Sequence, residues 1–191
     1  MIEVNVKDYV KVYKDFLDKE FCEKIIVELQ NNEWETHSFY MPDKDKYVSF
    51  DDDLSISYNK KDKASVKLNK KLWSAVEQYV LKDLKSHHNW FRGWNGYTDV
   101  RFNKYVVGTK MKEHCDHIHT VFDGTRRGIP VLSIVGVLND DYKGGEFIMW
   151  EKEKIELPQG SVMIFPSNFM YPHKVDPVTQ GTRYSYVSWT F

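Results

Sequence analysis

A chain of 191 residues with a formal net charge of −1 and 41% hydrophobic residues has the length of one domain with a real core. Its near-neutral balance excludes the basic excess of a nucleic-acid binder, and its apolar content excludes a disordered composition. The opening MIEVNVKDYVKVYK has no apolar signal core and no run of eighteen apolar residues occurs, so the reading is of a cytoplasmic protein with no membrane partner.

In chain order, Asp18 is placed to cap a helix over 19–30, where Phe21, Cys22, Ile25, Ile26 and Leu29 recur at helical spacing as one apolar stripe. Residues 41–63 form a polar, charged surface loop with one short apolar alternation, room for a single strand. A second stripe, Leu72, Val76, Tyr79, Val80 and Leu84, predicts a helix that starts near Lys67 and stops at Ser86-His87-His88. Cys22 and Cys115 lack CxxC spacing and read as two free thiols in a reducing compartment.

From Thr98 onward the texture changes to short β-branched and aromatic runs punctuated by Gly and Pro, over 101–107, 129–139, 146–150, 161–166 and 182–191. These predict an antiparallel sandwich or barrel. The expected organisation is a single mainly β domain with flanking helices: helical support and a substrate loop over about 1–95, the strand core over about 96–191. The stretch 131–138 is largely apolar on both faces and predicts a central strand. Residues 140–145 supply turn chemistry before the next strand, with Gly144 and Gly145 in a hairpin-like turn.

The chemistry concentrates in the strand-rich half. His114-Cys115-Asp116 follows a predicted strand, and in extended chain residues two apart share a side, so His114 and Asp116 converge while Cys115 faces away. His173, in Tyr171-Pro172-His173-Lys174-Val175, begins another strand of the same sandwich and supplies the third donor. Two imidazoles and a carboxylate make the facial triad of iron(II) oxygenases, which leaves the opposite face of an octahedral ion for a bidentate cosubstrate and dioxygen. Ten residues on, Arg183 shares a strand face with Ser185, Val187 and Trp189. Its planar cation suits a carboxylate, and Ser185 can add a donor. Tyr105, on one face with Asn103 and Arg101, brings a phenol toward the same cavity.

Singly, these residues have blander readings: His114 as a surface histidine, Asp116 as a turn residue, Arg183 in a surface ion pair, Trp189 as a core aromatic. Their shared register outweighs those readings. His119 and His87-His88 have no partner at ligand spacing and read as solvated or structural. Asn103, Trp189 and Arg127 complete the candidate set as substrate contacts, Arg127 from the loop 120–128.

Several segments in order also carry a family resemblance. They are Phe16-Leu17-Asp18-Lys19-Glu20-Phe21-Cys22, Asn103-Lys104-Tyr105 before His114-Cys115-Asp116, Leu138-Asn139 before Gly144-Gly145-Glu146-Phe147, Pro158 with Gly160, and His173-Lys174-Val175 through Gly181-Thr182-Arg183-Tyr184 to Trp189. Across most of its length the sequence resembles the 2-oxoglutarate oxygenases of the prolyl 4-hydroxylase type. It departs from many collagen-type members in having Arg183 where they carry Lys, and from some relatives in having Val137 where they carry Tyr.

The resemblance implies a double-stranded β-helix (jelly-roll) core and ferrous iron on His114, Asp116 and His173. It places the distal carboxylate of 2-oxoglutarate on Arg183 with help from Tyr105, with O2 as co-reactant and ascorbate as a candidate reductant. The implied reaction is hydroxylation of an unactivated carbon with release of succinate, on a peptide, protein or amino-acid-like substrate. The alternatives are a hydroxylase of another side chain or a small molecule, and a jelly-roll module that binds metal or ligand without catalysis.

Overall fold

A computed structural model describes residues 5–41, 43–58, 62–84, 96–116 and 130–191. The first helix, α1 (Lys19–Leu29), begins where its cap predicts: the Asp18 carboxylate accepts the Phe21 N–H at 2.7 Å. Its apolar stripe is covered, with Phe21, Cys22, Ile25 and Leu29 buried. The second helix, α2 (Lys63–Glu77), starts four residues before the expected position. Glu28 of α1 accounts for the earlier start, because its carboxylate accepts the Ala64 N–H at 3.1 and 3.3 Å and so satisfies a free donor of the first turn. Residues Gln78–Asp83, expected to continue as α-helix, widen into a π turn. There the Tyr79 hydroxyl donates to the Tyr9 carbonyl at 2.7 Å, and Asp83 accepts from Tyr13 at 2.5 Å.

The first half also carries β1 (Lys11–Tyr13), β2 (Glu35–Thr36), β3 (Phe39–Met41), β4 (Lys46–Val48) and β5 (Ser55–Ser57). The loop expected to hold one strand therefore holds two, β4 and β5. The second half runs β6 (Arg101–Tyr105), β7 (Met111–His114), β8 (Leu132–Val137), β9 (Lys143–Gly144) and β10 (Phe147–Met149). It continues with β11 (Glu153–Ile155), β12 (Val162–Pro166), β13 (His173–Val175), β14 (Val178–Gln180) and β15 (Arg183–Thr190).

A seven-stranded sheet has the order β1-β12-β8-β15-β6-β5-β2, and a four-stranded sheet the order β11-β10-β13-β7. Every paired strand within them is antiparallel. The larger sheet packs twice. On one face Leu132, Ile134, Phe102, Ile164 and Tyr186 meet the helices; on the other Val135, Met163, Phe165 and Val187 meet Met111, Phe147, Met149 and Val175 of the smaller sheet. This is the expected mainly β jelly-roll sandwich with flanking helices, and β8 is an interior strand between β12 and β15 with all six residues buried.

Gly136 has a packing reason on the helix side of β8. A Cβ there would stand 2.0 Å from Cζ of the fully buried Tyr186, so only glycine leaves space for the ring. The hairpin-like turn expected at Gly144 and Gly145 is not formed. β8 and β10 belong to different sheets, so the chain must cross between them; Lys143–Gly144 pairs with Val178–Gln180, and the Gly145 N–H donates to the Pro177 carbonyl at 3.1 Å.

Candidate metal centre and cosubstrate pocket

The two histidines meet because of strand register. β7 and β13 are antiparallel neighbours, and His114 and His173 are direct partners across them, with ring centroids 4.4 Å apart. Asp116 follows two residues after His114, and one donor atom from each of the three residues lies within 4.8 Å of the others. His114 Nε2 is 3.3 Å and His173 Nε2 3.7 Å from Asp116 Oδ1. Cys115 turns elsewhere, toward the Phe169 carbonyl at 3.5 Å.

Neighbouring groups decide which atoms are offered. His114 Nδ1 lies 2.8 Å from the Lys112 carbonyl and His173 Nδ1 3.0 Å from the Tyr171 carbonyl. A carbonyl only accepts, so each Nδ1 carries the proton and each Nε2 lone pair faces the shared site. The His173 ring lies parallel to Phe147 and edge-on to Phe165, both at 5.2 Å, which fixes its plane. Asp116 Oδ2 accepts from the Ser133 hydroxyl at 2.5 Å, and Ser167 Oγ stands 2.9 Å behind Ser133, leaving Oδ1 for the site. Burial alone would raise the Asp116 carboxyl; the adjacent His173, the His114 contacts and the Ser133 hydrogen bond outweigh it and hold the group well below the usual carboxylate range. Burial pushes His173 down, toward the neutral ligand form, against the pull of Asp116.

The facing wall of the cavity lies on the larger sheet. Arg183, Ser185, Val187 and Trp189 of β15 and Arg101, Asn103 and Tyr105 of β6 line the same cavity as the His-Asp-His set. Arg183 is directly opposite Tyr105, and Ser185 opposite Asn103. Only 1% of Arg183 is exposed, and its guanidinium carbon lies 5.0 Å from the Tyr105 ring centre and 5.9 Å from that of Tyr142. Ser185 accepts from one of its terminal nitrogens at 2.9 Å, yet its Nε is buried without a partner. Gly145 gives the stem room: a Cβ there would press on Arg183 Cδ at 3.0 Å. Asn139 fastens the strand just before it, donating to the Thr182 carbonyl and accepting the Tyr184 N–H, each at 2.7 Å. Burial raises the Tyr105 pKa, so the phenol stays a donor at neutral pH.

The structure thus brings His114, Asp116, His173, Arg183, Tyr105, Ser185, Asn103 and Trp189 to one cavity; Arg127, His119 and His87-His88 lie outside the described residues. Sequence reasoning missed Ser133, Ser167 and Tyr142. Ser133 left a signal, since a lone hydroxyl within a buried apolar strand must find a partner. Ser167 and Tyr142 left none.

The donor set fits a divalent iron: two neutral imidazoles, one ionised carboxylate and second-layer hydrogen bonds that aim all three. Arg183 fits a ligand carboxylate. A guanidinium this buried, with an orphaned Nε and no carboxylate partner among the described residues, is suited to an anion that enters the cavity.

Fold and site together define a jelly-roll protein with a His-Asp-His cluster and a buried arginine in one cavity. The sequence model of the 2OG-Fe(II) oxygenase superfamily matches residues 100–191, the strand-rich half of the chain. A PKHD-type hydroxylase of Delftia acidovorans is 34% identical over 98 residues, 47% of this chain and 42% of the relative. The PKHD-type hydroxylase PiuC of Pseudomonas aeruginosa is 34% identical over 95 residues, 47% of this chain and 41% of its own. The match thus spans less than half the length of these curated relatives.

Solved structures share the fold over nearly the whole chain. A Pseudomonas putida prolyl-4-hydroxylase superposes with a TM-score of 0.65 at 17% identity, covering 95% of this chain and 91% of that one. A Trichoplax adhaerens prolyl hydroxylase, in complex with a hypoxia inducible factor peptide fragment, gives 0.70 at 18%, covering 96% and 84%. The viral collagen prolyl hydroxylase of Paramecium bursaria Chlorella virus-1, in its 2OG complex, gives 0.61 at 18%, covering 95% and 94%.

Proposed function

We propose that the protein is an Fe(II)- and 2-oxoglutarate-dependent dioxygenase that hydroxylates an unactivated carbon, with a prolyl 4-hydroxylase-like reaction on a peptide or amino-acid substrate. The observation that carries this reading is the coexistence, in one cavity, of the His114-Asp116-His173 set and the buried, carboxylate-less Arg183. A metal-binding module needs the first and has no use for the second. The PKHD-type relatives and the prolyl hydroxylase neighbours support the substrate class.

Each side chain has a task in that reaction. His114, Asp116 and His173 would hold the iron, which with bound 2-oxoglutarate and O2 supplies the oxidising equivalent. Arg183, with Tyr105 donating beside it, grips the distal carboxylate and orients the cosubstrate toward the metal set. Ser133 keeps Asp116 from rotating. Val135, Met111, Phe147 and Val187 wall the space with apolar surface and exclude water from it.

The test is anaerobic titration of purified protein with Fe(II) and 2-oxoglutarate. A weak visible charge-transfer band is expected, along with iron-dependent succinate release on admitting oxygen. A protein that shows neither, and whose iron affinity is unchanged by His114→Ala, is not this enzyme.

A further inference from the structure

A second cation faces the cavity and has no part in the reading above. Arg101 opens β6 on the face it shares with Asn103 and Tyr105. Its guanidinium carbon lies 5.1 Å from the centre of the Trp189 ring, a contact that holds the planar fork against the indole. Arg101 Nε and Trp189 Nε1 are both buried without a partner among the described residues, as is Asn103 Oδ1 between the two arginines. No described residue forms an ion pair or hydrogen bond with the Arg101 guanidinium. His37 and Tyr105 both sense its charge and neither brings an anion: burial first, then Arg101 and His114, push the His37 imidazole down to about 3, and burial keeps the Tyr105 phenol protonated.

Position separates the two arginines. Arg183 is paired with Tyr105, four residues along β6 from Arg101, about 13 Å of strand. Asp116 is tied to Ser133, and Ser133 is the cross-strand partner of Trp189. Arg101 therefore stands at the metal end of the cavity floor and Arg183 at the other end. Arg183 is sealed, whereas Arg101 and Trp189 are only half-buried. A sealed cation suits a cosubstrate that is enclosed; a reachable cation near the metal set suits a group that arrives with the molecule to be oxidised.

We propose that Arg101, laid against Trp189, is a specificity-determining residue that takes a carboxylate of the substrate, so the preferred substrate is anionic close to the carbon that reacts. This rests on the oxygenase reading. The carboxylate comes either from the main chain of a free amino acid or from an acidic group of a peptide, and the same fork serves both.

The experiment uses the full chain loaded anaerobically with Fe(II) and 2-oxoglutarate, followed by calorimetry and by the visible band. The probes are L-proline against L-prolinamide, and acetyl-prolyl-glutamate amide against acetyl-prolyl-glutamine amide. In at least one pair the acid is expected to bind about 10- to 100-fold tighter than its amide. The responding pair identifies the source of the carboxylate. The preference is expected to vanish in Arg101→Gln with the band retained. If Arg101→Gln loses the band, Arg101→Lys carries the test, with a reduced preference expected and an unchanged one overturning the proposal. Equal binding of acid and amide in both pairs, or a preference that survives Arg101→Gln, also overturns it. Absence of the band from the unaltered protein overturns the oxygenase reading instead, and the two failures are read from the same samples.

Discussion

The two faces of the seven-stranded sheet are made by the same strands yet differ in kind. Toward the helices, Leu132, Ile134, Phe102 and Tyr186 form a mainly apolar layer, interrupted by the buried Tyr186 hydroxyl. Toward the smaller sheet, alternate positions of those strands carry Ser133, Asn103, Tyr105, Arg183 and Ser185, and Asn103 and Arg183 each bury a polar atom that finds no partner among the described residues. One face has only to hold together, and its free energy comes from burial. The other gives up some of that stability to hold groups poised for ligands, which is how unpaired buried polar atoms persist in a native fold. Alternation by two lets a single strand do both without compromise.

Substitutions can break this contrast. The largest effect is expected for His173→Ala: iron binding and succinate release fall to background, while the circular dichroism spectrum is kept. On the opposite face, Ile134→Ala should lower unfolding free energy by about 2–5 kcal/mol and leave the KM for 2-oxoglutarate of the folded protein unchanged. Chemical denaturation against kinetics separates these two outcomes. Equal loss of activity and stability in both variants would erase the distinction between the faces.

Arg183→Met sharpens the comparison further. The KM for 2-oxoglutarate should rise about 100-fold, yet the thermal midpoint of the metal-free protein should hold or rise, since an unpaired buried cation is replaced by an apolar side chain. Ser133→Ala, which frees Asp116 Oδ2, should weaken iron affinity by about 10- to 100-fold, measured by competition with a chelator. The smallest effect is expected for Tyr105→Phe, a rise of about tenfold in the KM for 2-oxoglutarate with iron affinity intact.

Much of this was legible in the chain, for physical reasons that differ by element. The Asp18 cap and the α1 stripe are local, and neighbours in sequence determine them. The double-sided apolarity of 131–138 announces a strand covered on both faces, as β8 is. The π turn at Gln78–Asp83 could not be read the same way, because its side-chain partners Tyr9 and Tyr13 lie some seventy residues earlier and its own residues keep helical spacing. The earlier start of α2 likewise depends on Glu28, a residue of another helix.

The site divides along the same line. Residue types and spacing alone determined that His114 and Asp116 share a side, that a second imidazole stands at a strand start in His173, and that Arg183 shares a face with Ser185 and Trp189, since two-residue periodicity is a property of extended chain. Only the tertiary structure decided that β7 and β13 pair in the register that sets His114 against His173, that Ser133 holds Asp116, and that Gly145 passes beneath Arg183. Those contacts join residues far apart along the chain. They are fixed by how the two sheets pack, and no local propensity encodes that packing.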